Sequence, residues 1–264
     1  LASSAASDVY KRQKLGQVVT GIKQLGFYEV VEAALGADMV AYAEAKELAE
    51  KGFLTSSCCP AFVSYVHKQF PMLSENVSHN MSPMATIAKF IKGMDKEAKT
   101  IFIGPCTAKK GEAQLHGVRE YVDCVMTFEE LQAVLDSREI DLTTLEETDL
   151  DNASGFGRSF ARCGGLAEAA VEALKEQGID FEVKPVSCSG IEECRLALLK
   201  ASKGRAEGNF IEGMACIGGC INGAGCLTHG ERNKNKIDAH SRLAKDKTIV
   251  ESLHGAETGL EEAR

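Results

Sequence analysis

No apolar run in this sequence reaches the roughly 18–20 residues needed to cross a bilayer, which excludes a membrane-spanning helix within it. Basic residues are in deficit: 30 Lys and Arg face 38 Asp and Glu, giving a net charge of −8. With no basic face to neutralise phosphates, a nucleic-acid partner is excluded. The opening stretch LASSAASDVYKRQ lacks both a basic start and an apolar centre, so it is no secretory signal. It also lacks any helical or strand period, and residues 1–13 are expected to be a cloning or assembly junction outside the fold. The paired CxxC knuckles of structural zinc sites are absent, as is the CxxCxxC run of ferredoxin-type relay clusters.

Tryptophan is missing too, whereas cysteine reaches ten. Ten thiols would suit a disulfide framework, but that device belongs to small secreted domains with weak cores. A chain of 264 residues, 44% hydrophobic, can bury a core without such staples. Reduced thiols in a cytoplasmic, anaerobic setting are the better reading, with metal ligation as the leading use for some of them.

Along the chain, helical and strand-like periods alternate. Val18, Val19, Ile22 and Leu25 share a helical face, and Tyr28–Val31 reads as a strand. Asp38 is expected to cap a second helix that Gly52 ends, and Phe53–Ser56 is a short strand. Pro60 opens a helix to about Phe70, and Ser82–Met94 forms another. Thr100–Gly104 and Val122–Met126 read as strands; Thr127 with Glu130 makes a capping box for a helix to Leu135. The acidic segment Asp136–Asp151 is expected to be solvated, with little fixed structure. Helix Gly165–Gln177, strand Phe181–Pro185, helix Ile191–Ala201 and strand Asn209–Gly213 follow, then an amphipathic helix over Ala239–Leu253. Such alternation implies an α/β fold with largely parallel sheet flanked by helices, whose sites sit at the carboxyl ends of strands.

Three cysteine clusters fall at such ends: TSSCCP (Cys58, Cys59), GPCTAKK (Cys106) and MACIGGC (Cys216, Cys220). Thiolate is a soft ligand that favours zinc or iron–sulfur clusters, and four thiolates complete a cube-type cluster. Cys124, Cys188 and Cys194 read as small buried hydrophobes; Cys163 and Cys226 stay open.

TSSCCPAF, IGPCTAKKGE and EGMACIGGCINGAG resemble, in order and separation, the three signatures of the catalytic H-cluster domain of iron-only (FeFe) hydrogenases, in a divergent branch. The resemblance runs from about Lys14 to Gly225. It implies two lobes, about 14–150 and 151–230, with a metal cluster in the cleft between them and a C-terminal helix closing the domain 14–264. It also implies reversible hydrogen activation at an H-cluster: a 4Fe–4S cube on Cys59, Cys106, Cys216 and Cys220, with Cys220 bridging to a di-iron unit carrying CO, cyanide and azadithiolate. Lys109 matches the family lysine that meets a cyanide ligand, and Met214 and Phe160 match pocket residues. Cys58 matches a proton-donating thiol, backed by a relay through Glu44, Ser78 and Glu47. A ferredoxin or redox subunit as electron partner, and hydrogenase maturation proteins, are implied with it.

Several positions depart from the family pattern. Gly104 replaces a methionine, Ile217 a proline, and Ala61 with Phe62 a Gly-Trp pair; the family segment that closes over one cyanide has no recognisable match. Two other functions compete: an iron–sulfur assembly or scaffold protein that makes no hydrogen, and a hydrogen sensor. Retention of Cys58, Lys109, Glu44 and Ser78 argues against a scaffold, and retention of Cys58 against a sensor.

Overall fold

The computed structural model describes residues 14–262, so the leader expected at 1–13 lies outside the described residues. Helix α1 (Leu15–Gln24) buries Val18, Val19 and Ile22 on one face, as their spacing requires. Helix α2 (Ala33–Lys51) is buried on nearly every side and forms the central rod of the fold. It begins at Glu32, not Asp38, because Ala33 and Ala34 are strong helix formers that extend it backwards. Asp38 instead lies inside α2, where its carboxyl accepts hydrogen bonds from Ser154 and Ser252. Gly52 ends α2 in the left-handed conformation, φ 74°, as expected.

Among the described residues five strands make two parallel sheets. Strand β1 (Leu54–Thr55) lies beside β5 (Phe210–Met214), which also pairs with β4 (Pro185–Ser189), giving the order β1-β5-β4. Strands β2 (Ile101–Gly104) and β3 (Cys124–Thr127) form a separate pair. Strand β5 is buried at every residue, so apart from Glu212 it is apolar on both faces where a half-exposed strand would alternate. Helices α3 (Pro60–Gln69), α4 (Pro83–Met94), α6 (Phe128–Ser137), α8 (Gly165–Glu176) and α9 (Ile191–Ala201) cover the sheets, with short helices α5 (Ala108–Glu112) and α7 (Gly155–Ser159) between them. Ser82 caps α4, and Thr127 with Glu130 forms the expected capping box of α6.

Four expectations need correction. Tyr28–Val31 forms no strand: Tyr28 is exposed, Val30 is buried in the core beside α1 and α6, and the only bridge residue is the next one, Glu32, from which α2 departs. The strand placed at Phe181–Pro185 lies at Pro185–Ser189, where the ladder with β5 begins; Phe181 and Val183 pack as a loop against the core. The acidic segment is not loose. Leu142 is buried, Asp141 caps a short turn over Leu142–Thr144, and Thr148 donates its N–H to Gly16. Finally, the single helix Ala239–Leu253 is two, α10 (Arg232–Ser241) and α11 (Ile249–Glu262). The second helix restarts because Glu176 accepts the N–H groups of Ile249 and Val250, while Thr248 accepts that of Glu251.

A buried ion pair locks these parts together. Arg158 of α7 meets Glu32 at 2.7 Å and Asp151 at 2.6 Å, with both Arg158 and Glu32 almost wholly enclosed. Glu32→Gln is expected to cost about 1–3 kcal/mol of unfolding free energy, because the buried guanidinium loses one of its two carboxylates and keeps Asp151. Equilibrium denaturation in urea checks this; a loss under 1 kcal/mol would contradict it.

Candidate functional site

The three cysteine-bearing loops leave the carboxyl ends of β1, β2 and β5. Because β1 and β5 are parallel neighbours, their loops emerge side by side, and the loop after β2 meets them. The Gly225 N–H donates to the Pro105 carbonyl at 2.8 Å, tying the third loop to the second. Cys59 is the N-cap residue of α3, with Pro60 in its first turn. Cys216 and Cys220 are separated by a turn that needs glycine. Gly218 and Gly219 have φ of 82° and 97°, and a Cβ on Gly219 would sit 2.7 Å from the Cys163 nitrogen.

All ten cysteines are free thiols. Cys106, Cys216 and Cys220 have their thiols pushed above the ordinary range, first by burial; Cys59 adds to each, Cys106 adds to Cys216 and Cys220, and Lys109 opposes the rise at Cys106 and Cys220. Ionising these three together calls for further positive charge, which the irons of a cluster would supply. Among the described residues no three His, Cys, Asp or Glu side chains close around a single ion. Four soft thiols, with no histidine or carboxylate among them, are the donor set that a cube-type iron–sulfur cluster takes.

Beside the thiols lies a cavity of about 70 Å³, walled by Cys58, Cys106, Cys220, Met84, Phe102, Met214 and Phe160 among other, mainly apolar residues. Lys109 reaches this wall as a buried ammonium, donating to Glu112 at 2.6 Å and to the Cys58 carbonyl at 3.1 Å. Burial alone would lower its pKa; the Glu112 carboxylate, with Cys106 and Cys58, raises it instead. The Phe102 ring lies across Gly104, where an added Cβ would come within 2.5 Å of it. The ring thus occupies the room that a side chain at 104 would need, which accounts for glycine at this departure.

Cys58 is buried between the cavity and a chain of polar groups. Its thiol is pushed well up, first by burial and then by Glu44, so it stays protonated. Glu44 is completely buried, and neither of its carboxyl oxygens has a partner at strict hydrogen-bond geometry. The Ser78 hydroxyl and the Ser57 N–H face it without satisfying it; burial carries its pKa up to about 8. From Ser78 the path continues outward, its hydroxyl donating to Glu47 at 3.0 Å. Glu47 is held below the usual carboxylate range: burial would raise it, but Lys51, His79 and Ser78 outweigh that. An inner carboxyl that keeps its proton and an outer carboxylate that gives it up bracket one serine.

Three participants lie outside the residues expected from the sequence. Glu112 is the counter-ion of Lys109 three residues on, an i, i+3 helix pair legible from spacing. Glu212, fully buried in β5, accepts from the N–H groups of Gly164 and Ala167 and from Ser187, anchoring the start of α8. Its signal is a lone charge in an apolar strand. Phe102 gives none. Cys188 and Cys194 are buried as expected, and Cys226 is enclosed with its thiol toward the Ile221 carbonyl. Cys163 is half-buried against the same core as Cys58, its thiol pushed up to about 12 by burial. Cys124 is exposed at the first position of β3, where the strand edge faces solvent, correcting the buried reading.

The family profile described as "Iron only hydrogenase large subunit, C-terminal domain" matches residues 2–224. Among curated proteins, "Iron hydrogenase 1" of Clostridium pasteurianum is 30% identical over 84% of this chain and 47% of its own. "Cytosolic Fe-S cluster assembly factor NAR1" of Kluyveromyces lactis is 23% identical over 76% of this chain and 56% of its own. The chain therefore spans about half the length of these relatives. Among solved structures, an FeFe-hydrogenase from Chlamydomonas reinhardtii superposes with a TM-score of 0.73 at 20% identity, covering 94% of this chain and 84% of that one. Another, described by oxygen inactivation of its H cluster, reaches 0.76 at 19% identity over 97% and 87%. These show the fold.

Proposed function

As the chain belongs to the family of the iron-only hydrogenase large subunit, C-terminal domain, we propose that it activates hydrogen, interconverting two protons and two electrons with H2. The observation that carries this reading is the protonated thiol of Cys58, buried between the apolar cavity and the unsatisfied carboxyl of Glu44. A protein that only stores or passes on clusters has no need of a proton path to its interior.

Cys59, Cys106, Cys216 and Cys220 would hold a 4Fe–4S cube, Cys220 bridging to a di-iron unit that supplies electron transfer and a hydrogen-binding metal when bound. The chain's own residues do the rest. Met84, Phe102, Phe160 and Met214 keep water out of the cavity. Lys109, held charged by Glu112, offers an ammonium to an anionic ligand at low dielectric. Cys58 donates or receives a proton at its Sγ, and Glu44, Ser78 and Glu47 exchange it with the surface. Electrons would come from a ferredoxin-type carrier or a redox subunit, the di-iron unit from hydrogenase maturation proteins. Among the described residues no helix is long and apolar enough to cross a membrane; the similarity to cytosolic Fe–S assembly factors supports a cytoplasmic location.

The assembly-factor reading has one specific support, the matches to Fe–S assembly factors at identities not far below those of hydrogenases. Infrared spectroscopy of the anaerobically purified chain, co-expressed with maturation proteins, separates the two. Bands of iron-bound CO and cyanide are expected; a folded protein with iron–sulfur absorption and no such bands favours assembly.

Glu44 also leaves a mark on stability. Its pKa rises from 4.5 to about 8 on folding, so between those values unfolding releases a proton and rising pH favours the unfolded chain. The stability of wild type relative to Glu44→Gln should fall as pH climbs from 4.5 to about 8 and level off above it. Urea titrations of the cluster-free proteins across that range check this; a flat difference contradicts it.

A further inference from the structure

The relay as described stops at Glu47, yet that side chain is only 13% exposed. Something must carry protons across its last contact with water. The segment Ser78–Asn80 is wrapped around the carboxylate. His79 donates its backbone N–H to both oxygens at 3.1 Å, and Asn80 donates through Nδ2 at 2.8 Å. The wrap is fixed to the sheet, since Ser78 donates its N–H to the Thr55 carbonyl of β1 at 2.8 Å. Two side chains then cover the outer side of Glu47. Lys51, one turn along α2, lies 2.9 Å from it; the His79 ring lies 3.1 Å away through Nδ1.

These two are not equivalent. An ammonium has donors and no acceptor, so Lys51 holds Glu47 charged but cannot take a proton from water while remaining charged. An imidazole has one nitrogen for each task, and it is the side chain best suited to exchange protons near neutrality. The His79 side chain is 70% exposed, so its ring spans the boundary between Glu47 and solvent. We propose that His79 is the port of the relay, passing protons between water and Glu47.

The step balances without electrons. Water delivers a proton to Nε2, the Nδ1 proton moves to Glu47 Oε1, and the ring is left neutral in its other tautomer. Exchange with solvent or a turn of the ring resets it, and the reverse sequence exports a proton. The charged groups that touch His79 are Glu47 and Lys51, which lies 3.3 Å from Nδ1. The proposal rests on the proton-relay reading above and names its outer end.

The test uses the matured, cluster-loaded chain and H79Q, in which the amide keeps a hydrogen-bonding group beside Glu47 but cannot carry a proton. Hydrogen evolution from a reduced dye in weakly buffered solution should fall about tenfold in H79Q, a modest share of what positioned acid–base groups supply. Added imidazole should restore most of the loss, while unfolding midpoint and infrared bands stay those of wild type. A merely structural role would not respond to imidazole. Equal turnover of H79Q and wild type in weak buffer overturns the port and leaves the functional reading standing; so does a loss that imidazole cannot repair. A cluster-loaded wild type that makes no hydrogen overturns the functional reading, and the port with it. On the cluster-free chain, nitrogen-15 NMR of the His79 ring gives a second check. Glu47→Gln should shift the neutral ring's tautomer balance away from the Nδ1–H form that faces Glu47, and an unchanged balance overturns the coupling.

Discussion

Replacing Cys58 by alanine is expected to cut hydrogen turnover by about 10²–10⁴-fold, the range typical of losing a positioned acid or base, while the cluster stays in place. The asymmetry follows from position. Cys58 lines the cavity, and its neighbour Cys59 belongs to the thiol set, so removing one sulfur leaves the other four untouched. The thiol stays protonated because burial and Glu44 both oppose its anion. Alanine leaves a space beside a carboxyl that has no strict hydrogen-bond partner already. Proton delivery then has to cross that gap. Infrared bands and iron content should match wild type in the same preparation. Near-normal turnover would refute the role of Cys58, and lost bands would recast it as a structural residue.

Cys220→Ala is expected to have the opposite signature: loss of the bound group itself. Of the four thiols, Cys106 and Cys220 reach the cavity wall; Cys220 also feels the charge of the other three and of Lys109. It stands where the thiol set and the apolar cavity meet and, unlike Cys106, feels all three of the other thiols, so it is the one expected to connect what each would hold. The chain should fold, because Cys220 lies in a short turn beyond β5 and carries no strand pairing. Iron-bound CO and cyanide bands should vanish and turnover fall below detection. Bands of wild-type intensity would show that Cys220 does not anchor the di-iron unit.

The parts of this site that could be read beforehand are those that obey a local rule. Strands such as Ile101–Gly104 and Phe210–Met214 are buried, so their apolar runs end close to the cysteines they deliver. Thr127 and Glu130 announce a helix start by themselves. Glu44, Ser78 and Glu47 were placed by resemblance, and the contact of Ser78 with Glu47 is a separate geometric fact. What stayed illegible depends on partners distant in sequence. Tyr28–Val31 has strand-forming residues, but the chain passes through a single bridge residue, Glu32, and turns into α2 before a ladder can extend. Asp38 looks like a cap until the alanines before it join the helix and Ser252, 214 residues away, claims its carboxyl. Glu212, an anomaly in an apolar strand, explains itself only once α8 is seen to begin above it.

The two-residue strand β1 has a consequence for the order of events in the cell. Its ladder partner is β5, so Leu54 and Thr55 wait for Phe210 and Ile211 before the loop bearing Cys58 and Cys59 has a fixed place. A nascent chain that has reached residue 200 carries Cys59 and Cys106 but neither Cys216 nor Cys220, and it lacks the strand that would hold the first of them. Contacts this distant in sequence form late, after the loop-closure cost has been met. The cofactor would therefore be received by a chain that has already made β5 and closed its sheet, and not threaded in as the first loops emerge. Any partner that delivers iron to it has a folded protein as its customer.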